Sequence, residues 1–450
     1  MGWLASPHRP KVGRLRNSGS GSDVEMSDLL SHAPPAPDHD VARPVLDDRP
    51  APRIPQRPSL ADAGRQFWGR HRRVLWPLTV YAASRLLVLV TAVAATLHLE
   101  QIRDPGRGPW PRLPGTNYLL IHTLSRWDGA WYVRLAGRGY PSAAQLPTHL
   151  KEAAFFPLLP GLMRVMSAVT GLSLAMSGVV ISLAYGALAC VLVWHLTRSL
   201  ADAAAADRAV LLLCFFPAAF VFSMPYAESL VIATVAGALI AVAHRRWVTA
   251  GLLAAVATAA RPNAAPVLLA LACAAVVEIR RRPAWRPVAA PVLGSLGLAS
   301  AFGFLWWKTG RPLVWLTAEH EGWHDRIDGG WNTLVRAVHM VTSPHASLES
   351  TGLLDLVGLL GLLFAVAGLV ALWRWRPPLA VWVYGVSSIA LAFASFNVGV
   401  RPRMLLSAFP LVVAVAIKVR GRLFAAMLTC SAVALVLLSL VTFTNVAAAP

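Results

Sequence analysis

Residues 172–196 read LSLAMSGVVISLAYGALACVLVWHL, a stretch without a single Asp, Glu, Lys or Arg. A helix of this length crosses the roughly 30 Å hydrocarbon core of a bilayer, and buried helices of soluble proteins rarely reach it without a charge. Comparable apolar runs occupy residues 74–97 and 423–443. The pattern predicts an all-α polytopic membrane protein.

Composition supports this class and excludes two others. Of the 450 residues, 56% are hydrophobic and only 14% are charged, whereas soluble domains have about 25% charged residues. The formal net charge of +19 comes from Arg residues spread between apolar segments, which is typical of membrane orientation and contact with anionic lipid. No single basic stripe predicts nucleic-acid binding. The four Cys residues lie in apolar segments, without the spacing of a metal or disulfide framework.

The chain divides into a tail and a membrane domain. Residues 1–65 are rich in Pro, Ser and Asp and poor in large apolar residues, so they cannot bury enough surface to offset the entropy of ordering. We expect a disordered cytoplasmic tail at 1–65 and a membrane domain at 66–450.

The orientation follows from the positive charges. Arg65, Arg70, Arg72 and Arg73 precede the first span and predict a cytoplasmic N-terminus. If Phe155–Gly171 lies along the membrane instead of crossing it, the later Arg clusters also fall in the cytoplasm. These clusters are 244–246, 280–282 and 374–376. About eleven membrane-spanning helices result, with external loops at about 99–153 and 308–350 and an interfacial helix at Phe155–Gly171 in the first external loop.

The first external loop carries the richest chemistry. Residues 125–132 read SRWDGAWY, and residues 152–160 read EAAFFPLLP. A carboxylate among aromatic side chains, such as Asp128, can act as a base for a sugar hydroxyl. Alternatively, the aromatic residues form an interfacial belt and Asp128 pairs with Arg126. The residues alone leave both interpretations open.

The order of short motifs resembles the PIG-V family of mannosyltransferases. These motifs are WDGAWY at 127–132, GYP at 139–141, AFFPLLP at 154–160, FFPAA at 215–219, SMPYAES at 223–229, RPN at 261–263 and RPR at 401–403. Directly after the second-last of these motifs, Ala264 replaces the Gly that usually follows Asn263. The resemblance implies a GT-C-like architecture with many membrane helices and a large first external loop that carries the catalytic Asp.

The resemblance also implies a reaction. Mannose would pass from a polyprenyl-phosphate-mannose donor to an extracytoplasmic acceptor hydroxyl with inversion, and the acceptor would be a glycolipid, a polysaccharide or a protein. Asp128 would be the base, and Arg261, Arg401 and Arg403 would bind the donor phosphate, without a metal or cofactor. The other residues expected to bind substrate are Arg126, Trp127, Trp131, Tyr132, Tyr140, Glu152, Glu228 and Asn263.

Two other functions remain as alternatives. His320-Glu321-Gly322-Trp323-His324 matches H-E-x-x-H, the zinc-binding helix of metalloproteases. Gly322 weakens such a helix by about 1 kcal/mol, and the segment lies in the second external loop, so we favour the transferase. A lipid or sugar-lipid transporter would show an internal repeat, and none is visible in the sequence.

Overall fold

The computed structural model describes residues 60–102, 119–342, 350–396 and 401–444. Regular secondary structure in these ranges is helical, apart from an isolated bridge between Ile327 and Ser395. The α-helices are α1 Leu60–Ile102, α2 Leu119–Leu124, α3 Asp128–Arg138, α4 Leu146–His149, α5 Leu158–Thr170, α6 Leu174–Leu200, α7 Ala203–Cys214, α8 Glu228–Ala243, α9 Trp247–Ala260, α10 Pro266–Arg281, α11 Ala289–Thr309, α12 Val314–Thr317, α13 Trp331–Thr342, α14 Ser350–Trp375, α15 Leu379–Ala394, α16 Pro402–Ser407, α17 Phe409–Lys418 and α18 Gly421–Thr444.

The predicted class, an all-α polytopic membrane protein, is confirmed. Within the described ranges, six helices are long and apolar enough to cross a membrane, and they lie in α1, α6, α10, α11, α14 and α18. Four shorter apolar helices, α8, α9, α15 and α17, lie between them. The number of eleven complete spans stays a prediction, because the shorter helices need flanking turns to complete a crossing.

A sharp bend marks the end of the first external loop. Leu146–Ala154 and Leu158–Thr170 meet at 88°, and Pro157 stands between them as the N-cap of α5. Because Pro lacks a backbone N–H, a helix begins at this point more readily than it continues through it. The interfacial position of Phe155–Gly171 stays a prediction, because a helix pair bent in this way also occurs as a broken span. The predicted tail lies outside the described residues except for 60–65, which belong to α1.

Arg85 fixes the chain where α7 ends. Its guanidinium lies in the first span and donates hydrogen bonds to the carbonyl oxygens of Ala219 at 2.5 Å and Cys214 at 3.3 Å, and to the Ser223 hydroxyl at 3.1 Å. The last carbonyls of a helix have no intrahelical donor, and a charged donor inside a membrane domain needs such partners. Arg85 therefore holds the non-helical segment that leads to Glu228.

Small residues let α9 and α11 approach closely. A Cβ atom placed on Gly297 would lie 1.8 Å from the carbonyl oxygen of Ala255. The Thr258 hydroxyl donates to the Gly294 carbonyl across the same interface at 2.8 Å. Close backbone approach at small residues, with hydroxyl hydrogen bonds, is the usual association mode of membrane helices.

We expect Gly297→Ala to lower the free energy of unfolding by about 1–3 kcal/mol, since the new methyl group overpacks the α9–α11 interface. The matched control is Gly303→Ala on the same helix, where a Cβ would meet no atom within 4 Å. Thermal unfolding of both variants in detergent measures the difference. Equal melting temperatures would contradict the close packing.

Candidate active site

A cavity of about 770 Å³ opens among residues from both external loops, from the segment before α10, from α15, and from α16 with the residue before it. It brings together side chains that are far apart in the chain. Six of the residues predicted from the sequence line it: Asp128, Tyr132, Arg261, Asn263, Arg401 and Arg403.

Asp128 is the first residue of α3, and Arg403 holds its carboxylate. The Arg403 Nη1 donates to Oδ2 of Asp128 at 2.5 Å, while the backbone N–H of Asp128 donates to the Tyr226 hydroxyl at 3.2 Å. The guanidinium carbon of Arg403 also lies 5.6 Å from the centre of the Tyr226 ring. The charge-assisted hydrogen bond from Arg403 fixes the position of the Asp128 carboxylate. The Asp128 side chain stays 24% exposed to the cavity, so a ligand can reach it.

Glu228 is a buried counterion for two of the arginines. It is the first residue of α8, its side chain is fully buried, and it forms an ion pair with Arg261. The Nε of Arg403 lies 3.4 Å from the same carboxylate oxygen, a distance for an ion pair but without hydrogen-bond alignment. A buried carboxylate is costly unless it is paired. Glu228 therefore balances the positive charges of Arg261 and Arg403 from a buried position, and it does not line the cavity.

The arginines differ in how well their charge is balanced. Burial alone would lower the pKa of Arg403, but the Asp128 and Glu228 carboxylates outweigh it and raise the pKa above the usual value. For Arg401, burial and the neighbouring charges of Arg403 and Arg336 lower the pKa to about 10. Arg401 is thus still protonated near neutral pH and lies in a locally positive environment. An anion bound in the cavity would relieve that repulsion.

Two of the predicted substrate-binding residues anchor the first loop instead of lining the cavity. Arg126 donates to the carbonyl oxygen of Phe443, and the indole N–H of Trp127 donates to that of Thr442 at 2.8 Å. Trp127 adopts φ +59°, an uncommon conformation for a large side chain that persists only when contacts around it require it. These bonds to α18 set the backbone immediately before Asp128. A substrate-binding role for Arg126 and Trp127 stays a prediction.

Three more of the predicted residues, Trp131, Tyr140 and Glu152, are absent from the cavity lining. The ring of Trp131 stacks on Phe155 at 6.1 Å, and the Tyr140 hydroxyl donates to the Phe155 carbonyl at 2.9 Å. Glu152 forms an ion pair with Arg134 at 2.9 Å. Trp131 and Tyr140 hold Phe155, which lines the cavity and packs in a T-shaped arrangement against Tyr132, with the ring centres 5.1 Å apart. The amide of Asn263 donates to the Met404 sulfur at 3.3 Å.

Glu319, in the second external loop, lines the cavity and was missed by the sequence analysis. Burial, more than the nearby Asp325 carboxylate, raises the pKa of Glu319 to about 7, and Arg261 acts in the opposite direction. The sequence offered only the neighbouring His320–His324 pattern, and a single Glu in a polar loop has no periodicity that predicts burial.

We expect Glu319→Gln to gain stability relative to the wild type as the pH rises. The carboxyl ionises near its ordinary pKa of 4.5 in the unfolded chain but near 7 in the folded protein. Over that interval the unfolded state has released a proton that the folded state retains, so wild-type stability falls with rising pH. Gln removes this dependence. Melting temperatures at about pH 5 and about pH 8 test the linkage, and a pH-independent difference between the two proteins would contradict it.

The H-E-x-x-H segment does not form the helix that a zinc site needs. Ala318–Gly322 is a π-helical turn, and His324 follows it at φ +54°, so His320 and His324 do not share one α-helical face. Among the described residues, no group of three His, Cys, Asp or Glu side chains is placed to hold a metal ion.

Comparison with known proteins gives a family match and distant structural neighbours. Residues 115–280 match the model of the Mannosyltransferase (PIG-V) family. A comparison with curated proteins finds no match. The Archaeoglobus fulgidus oligosaccharyltransferase tethered to an acceptor peptide with the NVT sequon is 14% identical, with a TM-score of 0.42 over 86% of this chain. Its apo form gives 14% identity and a TM-score of 0.37 over 81% of this chain.

This chain spans 56% of the length of that oligosaccharyltransferase. The resemblance predicted from the motifs is confirmed by the family match, which contains Asp128, Glu228 and Arg261. The similarity to the Mannosyltransferase (PIG-V) family thus extends over residues 115–280 of this chain.

Proposed function

We propose that the protein transfers mannose from polyprenyl-phosphate-mannose to an acceptor hydroxyl outside the cytoplasm, with inversion at the anomeric carbon. The observation that carries the proposal is one cavity whose lining includes the Asp128 carboxylate together with Arg261, Arg401 and Arg403. If no metal takes part, this reaction needs two things from the protein. One is a general base for the acceptor hydroxyl, and the other is a positively charged site for the leaving phosphate.

The donor phosphate is assigned to Arg261, Arg401 and Arg403. Arg261 forms an ion pair with Glu228, and Arg403 forms ion pairs with Asp128 and Glu228. A phosphodiester donor carries one negative charge, and the departing phosphate monoester carries a second as the bond breaks. Arginines already in position stabilise the charge that develops in the transition state, because they need little reorganisation.

The polyprenyl part of the donor is supported by an apolar rim. Leu316, Ile327 and Leu391 line the cavity, although 49%, 81% and 39% of their surfaces are exposed. In a membrane protein such exposed apolar side chains suit contact with hydrocarbon. A cavity with a cationic interior and an apolar rim fits an amphiphile whose phosphate enters while its chain remains in lipid.

The chemical step is a substitution at the anomeric carbon. The acceptor oxygen forms the new bond to this carbon, and its proton passes to the Asp128 carboxylate. The bond between the anomeric carbon and the phosphate oxygen breaks, and both electrons of that bond leave with the polyprenyl phosphate. Arg403 orients the carboxylate from one oxygen, and the arginines receive the leaving group.

The orientation of the site rests on the positive-inside rule, which assigns the N-terminus to the cytoplasm and the cavity to the external side. We expect a reporter fused after Arg246 or Arg282 to give a cytoplasmic signal. One fused after Arg311 should give an external signal, because α11 separates it from Arg282. Identical signals on both sides of α11 would contradict this threading.

The test of the proposed function is transfer of labelled mannose from polyprenyl-phosphate-mannose by the purified full-length protein in nanodiscs that contain membrane lipid acceptors. We expect labelled product with or without a chelator. Zinc protease activity is disfavoured by the π-helical turn at Ala318–Gly322. Absence of transfer, together with tightly bound zinc, would refute the proposal.

A further inference from the structure

The helix α13, Trp331–Thr342 in the second external loop, carries large apolar side chains on the outside of the molecule. Their positions follow the i, i+3, i+4, i+7 spacing that brings side chains to one face of an α-helix. The four residues of this apolar face are 43% to 71% exposed, and they are Trp331, Leu334, Val335 and Val338. A helix on a water-facing surface has its charged and polar residues on the exposed side instead.

The polar groups at the start of α13 contact the rest of the protein. The Asn332 amide donates to the Phe396 carbonyl at 2.7 Å. The backbone N–H groups of Gly330 and Asn332 donate to the Asp328 carboxylate, each at 2.8 Å. The backbone N–H of Asp328 donates in turn to the Ala394 carbonyl at 2.9 Å. These bonds join α13 to the C-terminal end of α15, a helix that lines the cavity.

The neighbour of α13 is a membrane-spanning helix. It packs against α14, whose segment Leu356–Trp375 is long and apolar enough to cross a membrane. Leu360 and Leu363 of that segment are more than half exposed, as side chains that face hydrocarbon are. The twelve residues of α13 extend over only about 18 Å, less than the roughly 30 Å of the hydrocarbon core. A helix of this length beside a span suits the membrane surface better than a crossing.

Lipid fits the apolar face of α13 better than a second protein molecule does. Large side chains expose at most about 250 Å² each, and none of these four is more than 71% exposed. Together they offer less than the roughly 800 Å² per partner that a stable protein interface buries. Trp331 begins the apolar face and Arg336 lies off it by helical spacing, which is how helices at a membrane interface distribute aromatic and basic residues.

We propose that α13 lies in the interface of the leaflet next to the cavity and inserts its apolar face among the acyl chains of phospholipids there. The bonds of Asp328 and Asn332 then hold the end of α15, and with it part of the cavity lining, at the level of the bilayer surface. This contact with the membrane does not depend on the reaction that the protein catalyses.

The test places the photoreactive residue p-benzoylphenylalanine at Val335 or Val338 of the full-length protein in phosphatidylcholine vesicles. Under ultraviolet light the probe bonds to C–H groups that touch it, and the mass of the adduct identifies the neighbour. We expect phosphatidylcholine adducts from both positions, at least about tenfold more than from the same probe at Glu321. Glu321 is the matched control, because it is an exposed charged residue of the same loop outside the cavity lining.

Two outcomes of the photoreaction would overturn the inference. Adducts of twice the protein mass would identify a second copy of this chain as the occupant of the apolar face. A yield of lipid adducts no higher at Val335 and Val338 than at Glu321 would show that the face lies in water.

The melting temperature in the same vesicles provides a second readout. Val338→Asp should lower it more than Val338→Ala, because a carboxylate among acyl chains is costly. The pair His339→Asp and His339→Ala controls for the lower helix propensity of Asp, since His339 is exposed and borders the apolar face. We expect the difference between Asp and Ala to be larger at position 338 than at position 339 by at least about 2 °C. Equal differences at the two positions would contradict insertion into lipid.

Discussion

Asp128→Asn should lower the rate of mannose transfer by about 10²- to 10⁴-fold, the usual loss when a general base is removed. The amide keeps the size of the side chain and can still accept the Arg403 hydrogen bond, but it cannot take the proton of the acceptor. The initial rate with labelled polyprenyl-phosphate-mannose measures the loss, and the melting temperature of the variant shows whether it remains folded.

The control for this change is Asp202→Asn. Asp202 is the N-cap of α7, where its side chain accepts from the backbone N–H of Ala205 at 2.7 Å. Asn caps a helix about as well as Asp, so this variant should transfer mannose at the wild-type rate. Normal turnover by Asp128→Asn would remove Asp128 from the mechanism and leave the cavity as a binding site only.

Arg403→Lys should reduce kcat/KM for the donor by about 10²- to 10³-fold, comparable to removing one preorganised donor from a charged transition state. Lys keeps the positive charge between Asp128 and Glu228, so that neither carboxylate is left buried without compensation. It cannot, however, reproduce the planar guanidinium that contacts a carboxylate and a phosphate together. Initial rates over a range of donor concentrations separate the effect on KM from the effect on kcat.

That separation distinguishes two roles of Arg403. If Arg403 only orients Asp128, the variant loses kcat and keeps the wild-type KM for the donor. A contribution to phosphate binding raises the KM as well, and this is the expected result. Arg245→Lys is the matched control, because Arg245 pairs with Glu278 at 3.4 Å, is half exposed and lies outside the cavity. Wild-type kinetics in Arg403→Lys would contradict both roles.

Much of the fold could be predicted from local sequence, because the physical constraint is itself local. A helix in hydrocarbon must be mostly apolar along a length that crosses the bilayer, and it must satisfy its own backbone hydrogen bonds. Leu174–Leu200 and Gly421–Thr444 follow directly from this rule. The bend before α5 was also predictable, since Pro157 and Pro160 interrupt the apolar pattern. The short helices α8 and α9 are less predictable, because neither is long enough to cross a bilayer by itself.

The candidate site was predicted only in part. The motifs indicated Asp128, Arg261 and Arg403, and the structure brings all three to one cavity. It also turns Arg126 and Trp127 towards α18. Which way a side chain points from a loop depends on the partners that fold against it, and those partners are distant in the chain.

The sequence alone determined that this is a helical membrane protein, where its apolar segments lie and which motifs carry acidic and basic groups, since each of these depends on residue type and local spacing. Only the tertiary structure decided that Arg403 meets Asp128 across a separation of 275 residues. It also decided that Glu319 lines the cavity and that Glu228 is buried outside the cavity lining. Contacts of this kind depend on how the helices pack, and packing is set by the shapes of many side chains at once rather than by any single motif.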